Sequence, residues 1–60
     1  MSKRDIKMVD DAANEVGVDR DEFGEYIHEL KEDFHMRPKD NFTYDELIGF
    51  ARELKEILGD

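Results

Sequence analysis

Apolar side chains recur at spacings of three and four along most of this 60-residue chain. That period admits helices and excludes strands, whose faces alternate at every second residue. Three stripes can be drawn: Ile6, Val9, Ala13 and Val16; then Phe23, Tyr26, Ile27, Leu30 and Phe34; then a wider band of Leu47, Phe50, Ala51, Leu54, Ile57 and Leu58. Punctuation falls between them. Gly17 follows the first stripe and Gly59 the third, while Pro38 disfavours helical geometry at Arg37 and donates no amide of its own. Start signals agree with these stops. Ser2 is placed to cap the first helix, and Asp19-Arg20-Asp21-Glu22 and Thr43-Tyr44-Asp45-Glu46 each have the form of a capping box. Phe42, just before the second box, is placed to staple against Leu47. The sequence therefore predicts an all-α fold, a small three-helix bundle with helices over about 3–16, 20–36 and 44–58, and residues 1–60 as a single domain. Ala12 and Ala13 would let a neighbouring helix approach closely, and the width of the third band predicts contact with both other helices.

Length matters next. Sixty residues bury little core, and without cysteine there is neither a disulfide nor a thiolate metal site to reinforce it. The absence of cysteine also makes the cytoplasm the expected compartment. No apolar run approaches the roughly 20 residues of a membrane span, so no membrane role is expected.

Charge gives the chain its most distinctive surface. Seventeen Asp and Glu against nine Lys and Arg leave a net charge of -8. All of the excess lies between Asp10 and Asp33, where ten acids face two bases, and the remainder is balanced at seven of each. At about 100° per residue, Asp21, Glu22, Glu25, Glu29, Glu32 and Asp33 form a ridge on the side of the second helix opposite its apolar stripe. Glu25, Glu29 and Asp33 are successive i, i+4 like-charge pairs, each destabilising by about 0.2–0.5 kcal/mol. Such a ridge suits a basic protein surface and opposes direct binding of nucleic acid. The basic residues Lys3, Arg4 and Lys7, and Arg37 and Lys39, have no stacking aromatics among them. Phe23, Phe34, Phe42 and Phe50 occupy core or staple positions, whereas Tyr26, Met36, Tyr44 and Ile48 edge the apolar bands and are candidate partner or dimer contacts.

Catalytic chemistry finds no footing. One serine sits at the start of the chain, one threonine is used as a cap, and no nucleophile–base pair can be drawn. Glu25-x-x-His28 and Glu32-x-x-His35 match the Glu-x-x-His element of di-iron bundles, but both lie on one helix and project from its polar side, which leaves a weak surface metal site as an alternative. Asp19-x-Asp21-x-x-Gly24 begins like a calcium loop, yet its fifth and twelfth positions are Phe23 and Leu30. No cofactor is expected.

Phe23-Gly24-x-Tyr26-Ile27-x-x-x-Lys31, followed by Asn41-Phe42-Thr43-Tyr44-x-Glu46-Leu47-x-x-x-Ala51-x-Glu53-Leu54, resembles a helical tail found at the C-terminal end of some large bacterial polymorphic-toxin and repeat-containing secreted proteins. The resemblance spans about residues 19–58 and rests on aromatic anchors, a tight glycine and a capping box. It implies a helical fold and a bacterial setting, and it transfers no catalytic residue. The expected function is that of a non-enzymatic acidic helical protein binding a basic macromolecular partner. Glu22, Glu25, Glu29, Glu32 and Asp33 would steer it, and Met36, Tyr44 and Ile48 would supply apolar contacts. A self-associating homodimer is the alternative.

Overall fold

The computed structural model describes residues 3–37 and 39–59, with side chains from Ile6 onward among these; the cap expected at Ser2 lies outside them. Its helices are α1 (Lys3–Val16), α2 (Arg20–Asp33) and α3 (Tyr44–Leu58), with no strand among the described residues. The chain is an all-α three-helix bundle, and the starts of α2 and α3 and the ends of α1 and α3 fall where the sequence predicts. Thr43, in extended geometry, caps α3 reciprocally. Its Oγ1 accepts from the Glu46 amide at 3.3 Å, and Glu46 Oε1 accepts from the Thr43 amide at 2.9 Å. Asp19 forms only the forward half of the expected box at α2, accepting from the Glu22 amide at 3.3 Å.

The end of α2 departs from expectation. The sequence extends this helix to Met36, but it stops at Asp33, with Phe34 as its C-cap. His35 then adopts a left-handed conformation at φ 55°. The His35 amide donates to the Glu32 carbonyl at 3.0 Å and the Met36 amide to the Lys31 carbonyl at 2.8 Å, the paired bonds of a Schellman ending. Helical geometry continued to Met36 would place that side chain between Glu25 and Glu29 on the polar face. Stopping early instead turns Met36, half-buried, back onto the core. Burial of this apolar side chain offsets the left-handed backbone at a non-glycine residue, which costs about 1–2 kcal/mol. The other two helix ends place Gly17 and Gly59 at φ 91° and 81°, where the same geometry carries no such cost.

Among the described residues nine side chains make the core: Val9, Ala12 and Ala13 from α1, Phe23 and Ile27 from α2, Phe42 from the loop, and Leu47, Ala51 and Leu54 from α3. Ala12 and Ala13 are completely buried, and α1 against α3 is the most extensive of the three packings. The small side chains do what their position predicts. The third band does contact both other helices, but unequally, since α2 against α3 is the least extensive pair. Phe42 and Leu47 are both buried, as a staple requires.

Several stripe residues at the helix ends fail to reach the core. Ile6, Ile57 and Leu58, in the first turn of α1 and the last turn of α3, are exposed. Phe34 is the clearest correction: it points along the apolar stripe of α2 but is 57% exposed. Phe42 occupies the buried position at that end, and Phe34 lies edge-on against it, with ring centroids 6.2 Å apart. Phe42 in turn packs edge-on against the half-buried Phe50 at 4.9 Å. Gly24 is not tight, since a Cβ there would meet nothing within 4 Å.

One long-range contact fixes the relative direction of α1 and α3. The last turn of α1 holds no basic residue, so no cation of its own complements its carbonyl end. Lys55, near the end of α3, donates from Nζ to the Val16 carbonyl at 3.2 Å. The starts of the same two helices meet at Met8, Val9 and Leu47, beside Ile27 and Lys31 of α2, so α1 and α3 run the same way and α2 runs antiparallel to both.

Candidate functional site

The acids of α2 stand where the sequence puts them, on the solvent side. Glu22, Glu25, Glu29, Glu32 and Asp33 are all exposed. Neutralisation is slight. Among the described residues the ridge's one ion-pair geometry is His28 Nε2 to Glu32 Oε1 at 3.6 Å, with both side chains 72% exposed, which is worth little in water. Lys31 faces away from the ridge, donating to Asn41 Oδ1 at 2.9 Å and tying α2 to the following loop. That loop is closed separately by Asp40, whose amide donates to the Arg37 carbonyl at 2.9 Å and whose carboxylate accepts from the Arg37 amide and Nε.

The ridge divides into two rows. Tyr26 of α2 is near Glu53 of α3, and its hydroxyl is pushed above its ordinary value of 10.0 by partial burial, with the neighbouring Glu53 carboxylate adding to the shift. Glu22, Glu29 and Asp33 lie four before, three after and seven after Tyr26, so they share its side and flank α3. Glu25 and Glu32 fall about 100–120° further round and face outward, beside His28.

The expected apolar contacts do not join this surface. Lys55 faces α1 through the Val16 carbonyl, and Ile48 and Tyr44, seven and eleven residues earlier, lie on the same side of α3. Ile48 is half-buried there and Tyr44 is 40% exposed. Met36 folds onto the core beyond the end of α2. The apolar residues bordering the inner acidic row are instead Tyr26, Phe34 and Phe50. Tyr26 was legible as a band edge. Phe34 and Phe50 were hidden by their core-like register, and Glu53 by the absence of any sequence signal for the rotation of α3.

The metal alternative loses its geometry. His35 lies past the end of α2 in the left-handed cap, so Glu32-x-x-His35 is not a helical element. Among the described residues no three Asp, Glu or His side chains cluster as a metal site. The best-formed depression, between Met8, Val9, Ile27, Lys31, Asn41, Phe42 and Leu47, has room of about 10 Å³, roughly what one water needs and far below a ligand cavity. It lies on the α1 side of α2, away from the acids. No helix is long and apolar enough to cross a membrane among the described residues.

In comparisons with protein-family models, curated proteins and solved structures, nothing matches this chain.

Proposed function

We propose that this protein is a non-enzymatic binding module that uses the acidic face of α2 to hold a basic protein, in the cytoplasm. The observation that supports the reading is the row of exposed, almost unneutralised carboxylates on one helix, whose mutual repulsion is relieved when a cationic surface covers them. A void of water size, and a chain without a nucleophile–base pair, fit binding better than turnover. The likeness to a toxin-protein tail covers packing and capping residues only and adds none to this face.

A lysine-rich peptide tests the reading. Its affinity should fall steeply with added salt, and the double reversal Glu25→Lys with Glu29→Lys should weaken it about tenfold or more. Unchanged affinity in that variant would remove the electrostatic reading. A second reading, self-association, is favoured by Ile57 and Leu58, which are 68% and 46% exposed at the end of α3. Sedimentation equilibrium at high concentration decides it, since a monomer there leaves these residues without a partner copy.

A further inference from the structure

The inner acidic row of α2 has a counterpart on α3. Glu46, Phe50, Glu53 and Ile57 recur at spacings of four, three and four, on the flank of α3 where the Phe50 ring meets Phe42 (4.9 Å), which in turn meets Phe34 at the end of α2 (6.2 Å). The seam between these two rows is the least packed of the bundle. Its floor is apolar: Tyr26, Leu30 and Phe50 are half-buried, with Phe34 57% exposed at one end and Ile57 68% exposed at the other. Its banks are acidic, with Glu22, Glu29 and Asp33 on one side and Glu46 and Glu53 on the other, all exposed.

No base of either helix lies over this seam. Lys31 and Lys55 are turned to Asn41 and to the Val16 carbonyl, and Arg20 and Arg52 fall at least about 100° from the two rows. From Glu46 to Ile57 the strip is about 16 Å long, or roughly three helical turns.

We infer that the α2–α3 seam docks a basic amphipathic helix, whose apolar stripe covers Tyr26, Phe34 and Phe50 and whose Lys and Arg side chains pair with the two acidic banks. The inference rests on the proposed acidic binding face and specifies its occupant. Charge excludes a second copy of this chain from the same seam, since five carboxylates would meet five. An apolar partner without flanking cations would desolvate the banks and return nothing to them. A helix with leucine-like residues at spacings of three and four, bordered by cations, satisfies the floor and the banks together.

Two synthetic peptides of about 14 residues test this on the full chain, one of lysine and leucine with the leucines in a helical stripe and one of the same composition scrambled to break it. The patterned peptide should bind at least about tenfold more tightly, and amide shift changes should centre on Tyr26, Glu29, Phe50 and Glu53. Phe34→Ser, at an exposed position that spares the core, and Glu53→Lys should each weaken the patterned peptide about fivefold or more, with circular dichroism confirming the fold. Equal affinity for the two peptides, or shift changes centred on Glu25 and Glu32, would overturn the seam and leave the acidic-face reading standing. Binding of neither peptide at low salt would remove both.

Discussion

Tyr26 is the residue whose ionisation the fold alters most clearly. Its hydroxyl keeps its proton to higher pH in the folded chain than in the unfolded one, because burial and then the neighbouring Glu53 disfavour the phenolate. The raised value fixes the sign: the contribution to stability is complete below pH 10.0 and is lost as pH climbs through the raised folded value. Urea unfolding at about pH 9 and about pH 11 should show a smaller alkaline loss of stability in Tyr26→Phe than in the parent chain. His35 is the other residue whose backbone carries a cost. Its left-handed conformation at φ 55° is the one glycine adopts at the ends of α1 and α3. His35→Gly should therefore raise stability by about 0.5–1 kcal/mol, seen as a higher urea midpoint with an unchanged slope. A lower midpoint would mean that the imidazole makes a contact outweighing the backbone relief.

The elements show what could be read in advance and what could not. Gly17, Asp19, Thr43 and Gly59 mark boundaries because their chemistry is local: an oxygen two or three residues from an orphan amide, or a missing Cβ where φ must be positive. The end of α2 was illegible for the converse reason, since a histidine in the left-handed region carries no sequence signature and the stop is set by where Met36 can be buried. The acidic ridge was likewise legible as one face of one helix. Its division into an inner and an outer row was not, because that depends on how α3 is rotated about its axis, which the Phe42–Phe50 and Lys55–Val16 contacts reveal. Cap geometry at the two helix starts makes a graded prediction. Thr43→Ala removes both bonds of the hydroxyl, which accepts from the Glu46 amide and donates to Glu46 Oε1, while the backbone half of the box survives, and should cost about 1–2 kcal/mol. Asp19→Ala removes one hydrogen bond and should cost about 0.5–1 kcal/mol. Thermal melts followed by circular dichroism would rank them, and the reverse order would show that tertiary contacts at Asp19 exceed its capping role.

For the whole molecule, size makes each large core side chain indispensable. A chain of this length has a total stability of about 3–9 kcal/mol, and among the described residues nine side chains are buried in the core. Phe23 is completely buried, the largest side chain among those described that solvent does not reach at all. Phe23→Ala should remove about 3–5 kcal/mol, enough to flatten the cooperative transition in urea at 25 °C. A transition that survives with a small shift would mean that the core closes over the lost ring. The exposed rings behave oppositely, so Phe34 can serve a partner without holding the fold, while Phe42 beneath it cannot be spared.

The lysine that reaches from α3 to the last carbonyl of α1 has a kinetic meaning as well. Thirty-nine residues separate its two ends in sequence, and the most extensive packing joins the same pair of helices. Neither the first two helices nor the last two contain that contact, so neither hairpin can rehearse it alone. Closing Val16 onto Lys55 is therefore expected to be slow beside helix growth. A helix whose last carbonyl is reached only from its far neighbour ties the first and last helices of the molecule into one cooperative unit.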